Sequence, residues 1–96
     1  MRSRYFITYD IADDDRRNRV FKTLLGQGDH IQLSVFCCDL SDRQRVALIA
    51  VLHALIDHGE DQILLIDVGP VEGRAATCVE AVGRRYLPRE RSIIVV

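Results

Sequence analysis

The chain has 96 residues, of which 48% are hydrophobic and 28% charged, and its formal net charge is −1. This length predicts one domain, near the lower limit of what holds a core unaided, and the near-neutral charge excludes a global basic field, so any nucleic-acid binding must come from local patches. No apolar run is long enough to span a bilayer, and strand-like sequence begins at once without a secretory leader. We therefore expect a cytoplasmic protein without a membrane segment.

The sulfur and imidazole groups do not form a metal-binding pattern. The candidate zinc ligands are Cys37, Cys38, Cys78, His30, His53 and His58. The cysteines lack C-x-x-C spacing and lie within apolar strand patterns, so we interpret them as reduced core thiols. The histidines are not at ligand spacing from them, which argues against zinc.

The first predicted element is a strand over residues 4 to 10, where apolar and aromatic side chains alternate until the run ends at Asp10. A helix is predicted over Asp13–Leu25, because acids fill its first turn and Gly26 follows its last residue. Arg17 falls on the buried side of this helix, which should bring its guanidinium close to Asp10, whereas Arg16 and Arg19 should project to solvent.

A second strand region and a second helix follow. Residues 31–40 read as one strand or as two short strands divided by a turn near residues 32–34. Ser41 and Gln44 form a capping box that begins a helix, and Gly59 should end it.

The last third of the chain reads mainly as strand. It contains a central strand over residues 62–68 covered on both faces, a weaker strand over 77–82, a basic loop over 83–91 and a final strand over 92–96. The order β-α-β-β-α-β with an additional C-terminal strand predicts a single α+β domain over residues 1–96, a ferredoxin-like sandwich. Tyr5, Phe36, Ile63 and their neighbours leave apolar side chains on both sheet faces, so we expect a homodimer.

Two interpretations remain open for Asp10 and for Arg17. Asp10 either caps the turn after its strand or, near a two-fold axis, faces its own copy, where a divalent cation would remove the repulsion between the two carboxylates. Arg17 either pairs with a neighbouring aspartate or binds phosphate. Twelve of the thirteen basic residues are arginine, which suits phosphate recognition but also fits a codon bias.

The combination of motifs is more specific than either residue. "YDIADDDRRNRV" followed by "GDHIQLSVFCCDLS" resembles the signature of the CRISPR-associated protein two family, with a strand ending in Tyr-Asp-Ile, an early helical arginine and a glutamine two residues before Ser-Val-Phe. The matching positions are Tyr9, Asp10, Ile11, Arg17, Arg19, Gln32, Ser34, Val35 and Phe36. The resemblance extends over essentially the whole chain, although Cys37, Cys38 and Asp39 depart from the residues common in relatives.

The resemblance implies a homodimer in which the two copies of Asp10 hold one Mg²⁺ or Mn²⁺ ion as metal ligand and catalytic residue. The implied reaction is cleavage of phosphodiesters in single-stranded RNA or double-stranded DNA, within the acquisition of CRISPR spacers. Arg17, Arg19, Arg84 and Arg85 are the implied nucleic-acid contacts, and the motif residues Tyr9 and Phe36 are expected to support the site.

Two other functions stay open. The family also implies a non-catalytic adaptor that bridges subunits of the CRISPR spacer integrase and lies along the incoming DNA. The basic segment around Tyr86 would then either contact the DNA phosphates or be only a solvated loop; its arginines are Arg84, Arg85, Arg89 and Arg91. A ligand-sensing module is the third possibility, although it gives no reason for Asp10 and Arg17 to converge. The terminal strand 92–96 is expected to pair with the partner protomer, because free it would expose a sticky edge.

Overall fold

The computed structural model describes residues 1–86. In this part of the chain the strands and α-helices follow the order β-α-β-β-α-β, which confirms the predicted α+β class. The elements are β1 Ser3–Asp10, α1 Asp14–Leu25, β2 Asp29–Gln32, β3 Val35–Leu40, α2 Asp42–Leu55 and β4 Gln62–Pro70, followed by a short 3₁₀ turn over Arg74–Thr77. For residues 31–40, the prediction of two short strands separated by a turn is confirmed.

The two helices begin where their capping residues predict. The Asp13 carboxylate caps α1 by accepting from the backbone N–H of Arg16 at 3.0 Å, and the next two acids lie in the first turn. Ser41 and Gln44 form both bonds of the capping box of α2. Neither helix within residues 1–86 combines the length and the apolar composition needed to cross a membrane.

The predicted end of α2 at Gly59 is wrong, because the helix stops at Leu55. Ile56 already has an extended backbone, and the Asp57 side chain accepts from the N–H of Gly59 at 2.8 Å. Side-chain bonds of this kind compete with helical backbone bonds. Gly59 therefore belongs to the turn that leads into β4.

The strands form one antiparallel sheet in the order β2-β3-β1-β4. The continuous apolar run of β4 predicts a central strand, but among the described residues β4 is an edge strand paired only with β1. Its Leu64 and Ile66 are each 47% exposed. The prediction fails because a run of apolar residues reports two apolar faces and not the number of paired neighbours.

One face of the sheet packs against both helices and forms the core. Alternation along β1 directs Tyr5, Ile7 and Tyr9 to this face. Phe36, Cys38 and Leu40 of β3 join them, and the helices contribute Val20, Leu24, Leu48 and Leu52. Cys37 and Cys38 are buried, as predicted, whereas Cys78 is only partly buried. Burial raises the pKa of the Cys37 thiol to about 11, so the thiolate is scarce at neutral pH.

The opposite, helix-free face carries Arg4, Phe6 and Thr8 of β1. In the register of β4, Phe6 lies opposite Ile66 and Thr8 lies opposite Leu64. At one end of this face Arg4 forms a bidentate pair with Asp39 at 2.8 and 3.1 Å and also donates to the carbonyl of Ala75. The segment after β4 is thereby tied to this face, while the apolar side chains of β4 stay partly exposed.

The predicted strand over residues 77–82 is wrong. Thr77 ends the 3₁₀ turn, and the following residues form no strand. Val79 is 38% exposed and Val82 completely exposed, so the apolar residues of this segment are not buried as those of a packed strand would be. Of the predicted basic loop, the part after residue 86 lies outside the described residues, as does the whole predicted strand over 92–96.

Candidate functional site

Asp10 is the last residue of β1, and its Cα pairs with that of Gln62 at the start of β4. Its side chain is exposed, whereas Tyr9 and Ile11 on either side are buried, at 7% and 4% exposure. Among the residues that the structure describes, the Asp10 carboxylate has no hydrogen bond and no ion pair. The capping interpretation of Asp10 is therefore wrong within residues 1–86, and the carboxylate is available to a ligand.

Tyr9 and Phe36 pack together in the core next to the end of β1. Their ring centroids are 6.3 Å apart, and Phe36 is fully buried against Phe21 and His30. The Tyr9 hydroxyl lies 3.5 Å from the carbonyl oxygen of Leu33. Burial raises the pKa of Tyr9, opposed by the positive charge of Arg17. Both aromatic residues thus belong to the core beside β1, with the tyrosine neutral. Their role in supporting the site stays a prediction.

Arg17 emerges next to the strand end. One terminal nitrogen donates to the carbonyl of Ile11 at 3.0 Å, and the other pairs with Asp14. The expected position on the buried side of α1 is wrong, because Arg17 is exposed, whereas the predicted pairing with a neighbouring aspartate is present. Because the side chain is 44% exposed and a guanidinium carries five N–H donors, the remaining donors are available to phosphate.

The structure corrects the expectation for Arg16, which does not project to solvent. Its Nε donates to Oδ2 of Asp61 at 2.8 Å, and its terminal nitrogen contacts Oδ1 of Asp61 at 3.3 Å and Glu60 at 3.1 Å. The Asp61 side chain is completely shielded from solvent. It also accepts from the backbone N–H groups of Ala12 at 2.9 Å and Asp57 at 2.8 Å.

This buried carboxylate carries a negative charge. The hydrogen bonds from Arg16 hold the pKa of the Asp61 carboxyl well below its usual range, the backbone N–H groups of Asp57 and Ala12 act in the same direction, and burial opposes them. The same pairing raises the pKa of Arg16. Sequence reasoning missed Asp61 because its partners Arg16 and Ala12 lie 45 and 49 positions away, beyond any local motif.

Comparison with known proteins shows the family of this chain. The family model described as "CRISPR associated protein Cas2" matches residues 1–72. The chain belongs to the Cas2 family. The match contains Asp10, Arg17, Arg19 and Phe36, and it also contains Asp61 with its partners.

Individual Cas2 relatives are similar over almost the whole chain. The protein named "CRISPR-associated endoribonuclease Cas2 1" from Rhodospirillum rubrum is 40% identical over 92 residues, which cover 96% of this chain and 89% of the relative. Solved structures agree with the fold: a hypothetical protein from Thermus thermophilus is 32% identical with a TM-score of 0.78, covering 93% of this chain and all of that one. Cas2 of Streptococcus pyogenes at pH 6.5 is 26% identical with a TM-score of 0.71, covering 83% and 99%.

The predicted nucleic-acid contacts of this Cas2 protein occupy two places. Arg19 lies exposed on α1, whose N-terminal end adjoins Asp10, and it has no ion-pair partner among residues 1–86. Arg84 and Arg85 are exposed too, but they line a groove with Asp29 and Gln32 along the β2 edge. Asp10 is not part of that groove, so the structure does not gather all four predicted arginines around one carboxylate.

The described part of one Cas2 chain does not contain a complete metal site. Within residues 1–86, no three side chains of the types His, Cys, Asp and Glu converge as metal ligands. Asp10 supplies one exposed carboxylate, which suits Mg²⁺ or Mn²⁺ as a hard oxygen ligand but cannot hold either ion alone. Any metal at the end of β1 would need ligands from a second molecule or from the substrate.

Proposed function

We propose that this Cas2 protein is a metal-dependent endonuclease whose active site forms between two copies of the chain. Asp10 of each copy would be a ligand to one Mg²⁺ or Mn²⁺ ion, and the substrate would be the phosphodiester backbone of single-stranded RNA or double-stranded DNA. The observation that carries the proposal is the exposed, unpaired carboxylate of Asp10 on a strand end whose adjacent residues are fixed. The name of the Rhodospirillum relative, an endoribonuclease, supports the reaction class.

Each residue at the strand end has a part in this proposal. A bound divalent ion would activate a water molecule and stabilise negative charge on the scissile phosphate. Asp10 would hold the ion, while Tyr9 and Phe36 keep the strand end rigid from behind. Arg17 would orient the phosphate with the N–H donors that Asp14 and Ile11 do not use.

The helix-free sheet face supports the dimer. Leu64 and Ile66 form an exposed apolar pair there, opposite Thr8 and Phe6 of β1, and a second protomer would bury it. In this proposal each protomer is a ferredoxin-like sandwich, and the strand 92–96, which lies outside the described residues, adds to the partner's sheet. The dimer would act in spacer acquisition together with the integrase.

The test is cleavage of labelled single-stranded RNA and duplex DNA with Mg²⁺, with Mn²⁺ and with EDTA. Asp10→Ala should lower the metal-dependent rate by at least about a hundredfold, with an unchanged melting temperature because the carboxylate makes no bond among the described residues. Asp15→Ala is the matched control, since Asp15 is also an exposed acid close to the strand end. Full cleavage by a folded Asp10→Ala protein would refute the catalytic assignment.

A second function is favoured by separate residues. Arg19, Arg84 and Arg85 are exposed and lack acidic partners among residues 1–86, which suits sequence-independent contacts with DNA phosphates. In an adaptor that bridges integrase subunits, these contacts would matter and Asp10 would not. Asp10→Ala should then support spacer acquisition in cells as well as the unmodified protein, whereas a protein that works as a nuclease should lose acquisition with the same change.

A further inference from the structure

One buried carboxylate joins three separate segments at the end of the sheet that carries Asp10. Asp61 accepts from Ala12 in the loop after β1, from Arg16 in the first turns of α1, and from Asp57 in the turn after α2. The backbone of Asp61 itself leads directly into Gln62, the register partner of Asp10. The carboxylate thus joins three of the segments that border the strand end.

The backbone around Asp10 is consequently fixed from all sides, while its carboxylate stays free. β4 pairs with it through Gln62, Ile11 is buried and accepts from Arg17, and Ala12 donates to Asp61. Without the bond to Asp61, the N–H of Ala12 would lose its partner and the loop between β1 and α1 would lose its attachment to β4.

We propose that Asp61, with Arg16, is a positioning residue that fixes the direction in which the Asp10 carboxylate points. This inference rests on the proposed nuclease function, because it assigns Asp61 a role in metal binding and turnover through Asp10. Residues that orient a metal ligand without touching the metal typically change metal affinity or activity by 10–100-fold when they are altered. Asp61 does not contact the substrate.

The chemistry of the four contacts requires a carboxylate. Each oxygen accepts one backbone N–H and one N–H of Arg16. In Asp61→Asn, either orientation of the amide directs an NH₂ group at two donors, so two of the four contacts become repulsive. The substitution keeps the volume of the side chain and removes the ability to hold both Ala12 and Asp57.

Glu60 provides a matched control on the adjacent residue. Its side chain also binds Arg16, at 3.1 Å, but that side chain is 61% exposed and forms no hydrogen bond with Ala12 or Asp57. Exposed pairs of this kind contribute little. Glu60→Gln changes the same formal charge as Asp61→Asn and leaves the attachment of the loop intact.

The experiment compares Asp61→Asn, Arg16→Gln, Glu60→Gln and Asp10→Ala with the unmodified dimer. Cleavage gives kcat and KM separately, calorimetric titration with Mn²⁺ gives metal affinity without turnover, and NMR gives hydrogen exchange of the Ala12 amide in the metal-free protein. We expect Asp61→Asn to lower kcat and Mn²⁺ affinity by about 10–100-fold with KM for RNA within about twofold. Exchange of Ala12 should accelerate, and Glu60→Gln should change none of these.

Arg16→Gln keeps the inference testable if Asp61→Asn fails to fold, because it leaves the bonds from Ala12 and Asp57 in place. It should lower kcat and Mn²⁺ affinity by a smaller factor in the same direction. If both values match the unmodified protein in the folded Asp61 or Arg16 variant while Asp10→Ala is inactive, the positioning role is refuted and the proposed function stands. If Asp10→Ala itself cleaves normally, the proposed function fails and the positioning role fails with it.

Discussion

The end of β1 and the start of β4 lie side by side in the sheet, yet their aspartates have opposite surroundings. Asp61 is fully shielded and accepts four hydrogen bonds from three segments. Asp10 is exposed and has no partner among the described residues. Asp61 therefore stabilises the fold, whereas Asp10 is available to bind a ligand.

The difference shows how a site can be exposed and ordered at once. An exposed carboxylate on a loose loop would have to be ordered by each ligand that it binds, which costs conformational entropy. Here that ordering has already occurred in the neighbouring backbone, through Ile11, Ala12 and Gln62. The buried aspartate stabilises the arrangement and the exposed one remains available.

The largest effect is expected from a substitution that separates the two protomers of the proposed dimer and leaves both Asp10 and Asp61 unchanged. Ile66→Asp places a charge on the helix-free face, where Ile66 is exposed in one chain and would be buried between two. We expect a monomer by light scattering and a loss of metal-dependent cleavage of at least about a hundredfold, because one chain supplies one carboxylate.

Val51→Asp is the control for this change, since Val51 is 48% exposed but lies on α2 instead of the sheet. It should remain an active dimer. A monomeric Ile66→Asp protein that cleaves at the normal rate would show that one chain is sufficient for cleavage. It would refute the proposal that the active site needs two copies of Asp10.

The second effect concerns stability and pH. Because the pKa of Asp61 is lowered in the folded protein, its contribution is fully present above the unfolded value of about 3.9 and is lost as the pH falls toward the folded value. The urea midpoint of the unmodified protein should therefore exceed that of Asp61→Asn clearly at pH 7, and the gap should narrow from about pH 4 downward.

Asp10→Asn gives the opposite expectation at pH 7. The Asp10 carboxylate makes no contact within residues 1–86, so the urea midpoint of this variant with Mg²⁺ present should stay close to that of the unmodified protein. A constant gap between Asp61→Asn and the unmodified protein across pH 3 to 7 would mean that the charge of Asp61 does not stabilise the fold.

The smallest effect is expected at Arg19, which lies exposed on α1. Arg19→Ala should weaken binding to duplex DNA and lower the slope of log Kd against log salt by about one unit, because one phosphate contact is lost. Fluorescence anisotropy across a salt series measures that slope. Arg43→Ala, which removes an exposed arginine from α2, should leave the slope unchanged. An unchanged slope for Arg19→Ala would restrict the nucleic-acid surface to other residues.

The sequence predicts the parts of this molecule that depend on local chemistry. Strand alternation up to Asp10, the cap at Asp13 and the capping box at Ser41 are all visible to reasoning over a few residues, and all are confirmed.

The errors arise where the outcome depends on distant residues. The apolar run of β4 does not reveal that β1 is its only paired neighbour among residues 1–86, and the pattern of residues 77–82 resembles a strand although the segment pairs with none of the described strands. Arg16 was assigned to solvent because its partner Asp61 is 45 positions away. Pairing partners at such separations are set by topology, which local periodicity does not encode.

The attachment of Ala12 to Asp61 also has a consequence for folding. The bond closes a separation of 49 residues, and contacts so distant in sequence form only after the intervening chain has been ordered. During synthesis, Asp10 and the arginines of α1 are added to the chain before residue 61. The strand end therefore acquires its fixed backbone only when the helices and β4 are in place, so a nascent or partly folded chain carries the carboxylate but not the geometry that would make it reactive.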